Sequence, residues 1–405
     1  MATFAAQTVR RSTYSSAQRA RHFATAAASI ATHQGAGRCV SKVSIPPGFV
    51  ATVGNFETFV LPDKILGTLS DTIMAKAMIN AWRKDGILQI AMSPWQERLF
   101  SQASKASKKF FQKTPAQKHA CVNDSSFCGY IASGEEITSG IADYSEIFTV
   151  SKNLQPEDHR VLAEWPFHGP CPWPDKLMER DIMDYVSELG SNGEKLLQMI
   201  ELGLDVPPGS LTKYTQDGWH HMRALRFPSR DRTNGKGAAG RGIGSHTDYG
   251  LLVMAAQDEV GGLFVRPPGQ AGPCKHERSD TAVSRWDDSG WVYVAPTPGV
   301  FTVFPGDMMQ HVTNSFLRST PHKVGLNVRE RFAFAYFHEP NFKAVVKPLP
   351  GFDEGQKPAG GIHYGTYFTK MTLQNYPDRI STRKLLDEGR CSMLEQDELR
   401  SDMAA

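Results

Sequence analysis

Met222-Arg223-Ala224-Leu225-Arg226-Phe227 opens the part of the chain whose texture decides the fold. Comparable short apolar runs follow at 251–256, 263–266, 291–295, 300–304 and 332–337, separated by Gly, Pro, Asp and Asn. Runs of this length, bounded by turn residues, predict the strands of an antiparallel sandwich or barrel. The Gly/Arg/Lys-rich loop at 229–242 and the polar stretch at 267–289 read as surface insertions between them. Upstream the period changes. After a short strand at Phe59-Val60-Leu61, the residues Ile65, Leu69, Ile73, Ala77, Ile79 and Trp82 fall roughly on one helix face. Asp85-Gly86 ends that helix, Ile87-Leu88-Gln89-Ile90 reads as a strand, and a second helix covers about 94–113. The prolines between Trp165 and Pro174 exclude a helix interior there, because each lacks an amide donor. A long amphipathic pattern then runs to about Leu202. The expectation is a helical N-terminal part, about 56–215, supporting a β-rich core at about 219–340.

With 405 residues, 40% apolar and 21% charged, the composition is that of a soluble globular protein. It excludes a disordered chain, a collagen-like repeat and a polytopic membrane protein. Lys+Arg total 45 against Asp+Glu 42, but the charges are unevenly spread. Arg10, Arg11, Arg19, Arg21, Arg38 and Lys42 precede the first acid, Glu57, so the formal charge of +3 becomes −3 for the rest. A body so nearly neutral predicts no nucleic-acid partner. No stretch approaches the ~20 apolar residues that span a bilayer, so no membrane association is expected. Residues 1–50, rich in Arg, Ala, Ser and Thr and free of acids, have the composition of a mitochondrial presequence. The plain alternative is a disordered tail on a cytoplasmic protein. The remainder, 51–405, is read as one domain. Cys39, Cys121, Cys128, Cys171, Cys274 and Cys391 are scattered, which fits a reducing compartment better than a disulfide framework or a zinc ribbon.

His246-Thr247-Asp248 holds the one His-x-Asp among thirteen histidines. On an extended segment, residues two apart project to the same face, so the imidazole and carboxylate can share an ion. Ser319-Thr320-Pro321-His322, several strands later, offers a third ligand. Two histidines and one carboxylate form the facial set that leaves open positions on Fe(II). Three such ligands also suit a zinc hydrolase, which keeps one position for water. Arg331 separates the two readings. It follows His322 by nine residues, at the edge of the apolar run 332–337. A guanidinium turned into a barrel needs an anion, and its fork matches the distal carboxylate of 2-oxoglutarate. The plain alternative is a salt bridge from Arg331 to Glu330 or Glu339. His311 stands twenty residues before Arg331, too far for the same spacing, and is expected in a helix or turn near the pocket. Of His220 and His221 at most one points inward, and neither has a carboxylate at metal-ligand spacing.

The longer segments carry a more specific likeness. They include Gly129-Tyr130-Ile131-Ala132-Ser133-Gly134-Glu135-Glu136, Asp217-Gly218-Trp219-His220-His221-Met222-Arg223 and Arg241-Gly242-Ile243-Gly244-Ser245-His246-Thr247-Asp248-Tyr249-Gly250. Ala255-Ala256-Gln257-Asp258, Pro296-Thr297-Pro298-Gly299-Val300 and Arg329-Glu330-Arg331-Phe332-Ala333 extend it. From about Phe56 to Ile380 the chain resembles the 2-oxoglutarate-dependent ethylene-forming enzymes, a branch of the Fe(II)/2-oxoglutarate dioxygenases related to isopenicillin N synthase. The resemblance implies an α+β fold with a double-stranded β-helix (jelly-roll) core. It implies Fe(II), 2-oxoglutarate and O2, with ascorbate supportive, and a monomer acting on small molecules. His246, Asp248 and His322 match the family's iron ligands, and Arg331 matches its 2-oxoglutarate arginine. Leu225, Phe227, Val253, Leu263, Ala333 and Phe337 fall where the family lines the 2-oxoglutarate methylenes, and Arg223 at its second pocket arginine. For these apolar residues plain barrel core is the alternative.

The resemblance also implies two reactions. In one, 2-oxoglutarate and O2 give ethylene and carbon dioxide. In the other, L-arginine is hydroxylated at C5 and breaks down to guanidine and a pyrroline carboxylate while 2-oxoglutarate becomes succinate. Glu136, Thr138, Tyr249 and Tyr376 match the family's contacts to L-arginine. One departure stands out. Gln374 occupies the position of an arginine that holds the amino acid's carboxylate in bacterial members, and a neutral amide in place of a charged fork predicts an affinity lower by ~1–3 kcal/mol.

Overall fold

The computed structural model describes residues 45–233, 240–270, 290–352, 360–392 and 394. The presequence expected over 1–50 lies outside them apart from 45–50, as do Cys39, Cys274, most of the polar stretch at 267–289 and residues 234–239 of the loop at 229–242. In chain order, β1 (Thr52–Val53) and β2 (Thr58–Phe59) precede α1 (Leu69–Asp85), β3 (Leu88–Ala91), α2 (Pro94–Phe111) and the short α3 (Pro115–His119). Next come β4 (Gly129–Ile131), a hairpin of β5 (Ile137–Thr138) and β6 (Ile141–Ala142), β7 (Glu146–Val150), α4 (His159–Leu162) and the long α5 (Lys176–Gly203). The second half is β8 (His221–Phe227), β9 (Arg241–His246), β10 (Leu252–Gln257), β11 (Leu263–Val265), β12 (Val292–Tyr293) and β13 (Val300–Pro305). After α6 (Asp307–Val312) follow β14 (His322–Gly325), β15 (Arg331–His338), β16 (Val345–Val346), β17 (Ile362–His363), α7 (Tyr364–Asn375) and α8 (Ile380–Asp387).

Among the described residues the strands form two main sheets. One runs β1-β12-β11-β14-β9 and the other β2-β3-β13-β10-β15-β8-β7-β4. The pairing is mainly antiparallel, with parallel pairs where β1 meets β12 and β2 meets β3. This corrects the expected division of labour. The N-terminal part is not helical support alone: it adds β1 to one sheet and β2, β3, β4 and β7 to the other. β2 and β3 answer to the strands expected at 59–61 and 87–90, while β1, β4 and β7 are two to five residues long, too short to show a period in the sequence.

The helices start where the chain supplies caps. Thr68 with Asp71, and Ser93 with Gln96, form reciprocal capping boxes, and Pro94 pre-sets the first turn of α2. Both helices pack on α5. The buried face of α1 differs from the expected one: Ala75, Met78, Ile79 and Trp82 face the core, while Leu69 is 70% exposed and Ala77 half-buried. The crossing with α5 decides this. Gly203 lets α5 approach so closely that a Cβ there would stand 2.7 Å from Ile79 and 2.8 Å from the Ala75 carbonyl. Trp82 is nearly fully buried, worth roughly 1.5–3 kcal/mol or more for a large side chain, and its Nε1 donates to the Val303 carbonyl of β13 (3.0 Å). The helical layer is thereby fixed to the sheet that carries the site.

Of the second-half strands that build the two main sheets, β9 and β14 escaped the sequence reading. The segment Arg241-Gly242-Ile243-Gly244-Ser245-His246 lacks the β-branched and aromatic density of a strand. Its pairing partner supplies what propensity does not. His246 and His322 are register partners across β9 and β14, with irregular register just beyond them.

Candidate active site

A cavity lies between the two sheets. From the larger one, alternate residues face it, as a period of two requires: Arg331, Ala333, Ala335 and Phe337 of β15; Arg223, Leu225 and Phe227 of β8; Val253, Ala255 and Gln257 of β10; Thr302 and Phe304 of β13. The smaller sheet contributes Ile243 and His246, Leu263, and His322 and Val324. All seven residues expected around 2-oxoglutarate besides Arg331 therefore line one space.

At one end His246, Asp248 and His322 bring a ligand atom each within 4.8 Å of one another. Asp248 reaches both imidazoles, with Oδ1 3.6 Å from His246 Nε2 and Oδ2 3.4 Å from His322 Nε2. The other nitrogen of each ring is committed to the backbone: His246 Nδ1 to the Gly244 carbonyl (2.8 Å), His322 Nδ1 to that of Thr320 (3.1 Å). Those bonds put the proton on Nδ1 and turn the Nε2 lone pairs toward the shared space, the arrangement a metal requires. Burial lowers the His322 pKa to about 4, so its ring stays neutral near pH 7.

The loop after Asp248 is clamped by the start of α6. The amide of Asp307 donates to the Asp248 carbonyl (2.7 Å), and that of Met308 to the carbonyls of Tyr249 (3.2 Å) and Gly250 (3.0 Å). Gly306 makes this approach possible, since a Cβ there would stand 2.4 Å from the Gly250 carbonyl oxygen and 2.9 Å from that of Asp248. Gly306→Ala is therefore expected to lower stability by ~1–3 kcal/mol and to weaken iron binding together with it. A urea titration and an anaerobic iron titration check this; unchanged values in both would sink it.

At the other end of the cavity stands Arg331, 4% exposed. Its Nη2 donates to Gln257 Oε1 (3.0 Å), its Nε has no partner, and its guanidinium lies 4.8 Å from the centre of the Phe227 ring. Neither expected carboxylate meets it: Glu330 pairs with Arg226, and Glu339 accepts a hydrogen bond from the Tyr364 hydroxyl (2.5 Å). Burial lowers the Arg331 pKa, and the attraction of Asp258 offsets this only in part. A buried cation with an orphaned donor, apolar walls beside it and three metal ligands beyond is complementary to a dicarboxylate whose far end chelates the metal.

Beside the cavity a second polar group collects. Glu136 Oε1 accepts from Arg223 Nη1 (2.8 Å) and from the Tyr376 hydroxyl, while its Oε2 is buried without a partner. Thr138 donates its hydroxyl to Asp143 (2.5 Å), and Tyr249 accepts from Asn375 Nδ2 (2.5 Å). Gln374 is not drawn in: it is exposed at the end of α7, and its neighbour Asn375 is the side chain that turns inward. Gln257 and Asn375 had no assigned role in the sequence. Gln257 was legible in principle as the inward position of β10 opposite Ala333, whereas Asn375 gave no signal.

Of the remaining histidines, His311 sits on a helix as expected, whereas His220 departs from expectation. His311 lies on α6 with its Nε2 bonded to the Val346 carbonyl (3.1 Å), outside the cavity lining. His220 does find a carboxylate: Glu194, His220 and His338 place ligand-type atoms within 4.8 Å. That group is poorly made for a metal, because the His220 and His338 rings stack at 4.2 Å and 8°, so their lone pairs run parallel instead of converging. His220 Nδ1 is also occupied by the Glu339 amide (3.0 Å).

Comparison with known proteins agrees with this geometry. Residues 219–340 match the 2OG-Fe(II) oxygenase superfamily model, and 66–176 match the non-haem dioxygenase in morphine synthesis N-terminal model. The chain is 48% identical over 339 residues to the 2-oxoglutarate-dependent ethylene/succinate-forming enzyme of Ralstonia nicotianae, covering 83% of this chain and 96% of the relative. A homoarginine-6-hydroxylase of Oryza sativa subsp. japonica is 28% identical over 307 residues, 73% of this chain and 88% of that one. Among solved structures, a full-length Neurospora crassa protein in complex with alpha-KG superposes with a TM-score of 0.64 at 20% identity, covering 78% of this chain and 95% of the other, a likeness of jelly-roll fold.

Proposed function

Because this chain belongs to the 2OG-Fe(II) oxygenase superfamily, in its ethylene/succinate-forming branch, and uses Fe(II), 2-oxoglutarate and O2, we propose a pair of reactions for it. In the first, 2-oxoglutarate and O2 are converted to ethylene and carbon dioxide. In the second, L-arginine is hydroxylated at C5, the product breaks down to guanidine and pyrroline-5-carboxylate, and 2-oxoglutarate leaves as succinate. His246, Asp248 and His322 would hold the iron, which when bound supplies the electrons that activate O2. Arg331, oriented by Gln257, fixes the distal carboxylate, and the side chains between it and the iron ligands exclude water from the methylenes. With Ala333 at the inward position two residues after Arg331, that carboxylate meets one hydroxyl donor fewer than a serine would offer, in a drier pocket.

The observation that carries the L-arginine half is Glu136. It is buried, saturated at one oxygen and open at the other, which suits an incoming guanidinium. Glu136→Gln is expected to weaken L-arginine binding by ~2–3 kcal/mol, roughly 30- to 150-fold, with little change in the KM for 2-oxoglutarate. Calorimetric titration with L-arginine and assay of released guanidine test this, and L-arginine binding that survives the substitution unchanged would refute the assignment. A second reading rests on Gln374, which offers no cation to an amino-acid carboxylate. On that reading the enzyme is a succinate-forming oxygenase of another small amine or metabolite and makes little ethylene. We further propose that residues 1–50 direct the protein to mitochondria, which a fluorescent fusion of that segment would test against a cytoplasmic location.

A further inference from the structure

Arg241, the first residue of β9, joins two parts of the molecule that are far apart in sequence. Its Nε donates to Asp143 Oδ1 (3.0 Å), and its Nη2 donates to the carbonyls of Thr138 (2.8 Å) and Ile141 (3.3 Å). Those carbonyls belong to the β5–β6 hairpin, which carries Thr138 and directly follows Glu136. Asp143 is fully buried. Besides Arg241 it accepts the Thr138 hydroxyl on Oδ2 and the Gly244 amide on Oδ1 (3.0 Å). Gly244 then offers its carbonyl to His246 Nδ1 (2.8 Å). The connection from the hairpin to the ring of a metal ligand is thus continuous: Thr138 to Asp143, Asp143 to Gly244, Gly244 to His246. The Arg241 guanidinium closes over it, so near Gly244 that a Cβ there would stand 2.1 Å from Nη2. Glycine at 244 is what lets the fork lie flat.

We propose that Arg241 and Asp143 are positioning residues that couple the hairpin at the second-substrate site to the His246 imidazole, so that occupancy of either end alters the other. The role given to the hairpin rests on the reading of Glu136 and Thr138 as contacts of L-arginine. The fork geometry matters, because a guanidinium serves the carboxylate and two carbonyls at once, which a lysine ammonium on a flexible stem does not reproduce. Coupling of this kind is reciprocal. Iron and 2-oxoglutarate at His246 must order the hairpin by the factor through which a ligand at the hairpin favours the iron site.

The test is amide hydrogen exchange of peptides covering 137–144, on the full chain under argon, with and without Fe(II) plus 2-oxoglutarate. In the unmutated protein the loaded state is expected to slow hairpin exchange at least about fivefold. In Arg241→Met that difference disappears, and Arg241→Lys does not restore it. Gly244→Ala, which keeps Arg241 but displaces its fork, gives the same loss and serves if Arg241→Met does not fold. L-arginine titrated into metal-free and loaded protein completes the experiment. Its affinity is expected to differ between the two states in the unmutated protein and to be equal in the variants. Hairpin exchange that ignores loading in the unmutated protein, or that still responds in both folded variants, overturns the proposal. If the exchange difference behaves as expected while L-arginine binds neither state, the coupling stands and the L-arginine reading falls.

Discussion

Asp248→Ala protein is expected to retain no Fe(II) under conditions that load the unmutated enzyme, and to consume 2-oxoglutarate at a background rate. Asp248 is the only anion of the three ligands and lies between the other two, 3.6 Å from one imidazole nitrogen and 3.4 Å from the other. Without it, two neutral imidazoles face the ion with no negative charge to offset its own. Loss of a partner outside the ligand set already costs ~10–100-fold in metal affinity, and loss of a ligand exceeds that. Folding is expected to survive, because the substitution leaves the backbone of residue 248 in place, where its carbonyl still accepts from the Asp307 amide (2.7 Å). Elemental analysis after anaerobic loading, with a melting curve beside it, measures both halves. Stoichiometric iron in Asp248→Ala would show that the ion sits elsewhere.

Arg331→Met is expected to raise the KM for 2-oxoglutarate roughly 30-fold to several thousandfold, the equivalent of about 2–5 kcal/mol for truncating one partner of a buried, hydrogen-bonded charge pair. Before 2-oxoglutarate enters, Arg331 is buried with an orphaned Nε and a single neutral partner, Gln257. The free protein therefore bears the cost of desolvating a cation, and a carboxylate recovers it on binding. Arg331→Met removes that cost from the free protein together with the recovery, so the variant should melt no lower than the unmutated protein while binding 2-oxoglutarate far more weakly. Arg331→Lys keeps the charge but not the fork and should fall between the two. A KM that moves less than threefold in Arg331→Met would mean that 2-oxoglutarate takes its distal anchor from another residue.

How much of this was legible before the structure varied with the kind of signal. The run from Phe332 to Phe337 is so uniformly apolar that β15 could be read directly, whereas the face of it that walls the cavity came from the resemblance. His246-Thr247-Asp248 was legible because a period of two keeps both ligands on one face. The strands holding the two histidines were not. Apart from Ile243, β9 consists of glycine and polar residues, and its extended form comes from pairing with β14 instead of its own propensity. The buried face of α1 was misread because the packing of Gly203 against Ala75 and Ile79, a contact across more than a hundred residues, outweighs the local period. The same limit hid Asn375 from Tyr249 and Glu194 from His338. A polar residue whose partner is distant in sequence leaves no pattern to find.

The most direct test of the proposed activity is headspace ethylene from the purified enzyme supplied with Fe(II), 2-oxoglutarate, ascorbate and air, with and without L-arginine, with succinate measured in the same vials. The expected result is ethylene that requires both Fe(II) and 2-oxoglutarate and increases with L-arginine, accompanied by succinate and guanidine. Succinate without ethylene, at any L-arginine concentration, would contradict that activity while leaving the iron and 2-oxoglutarate sites intact.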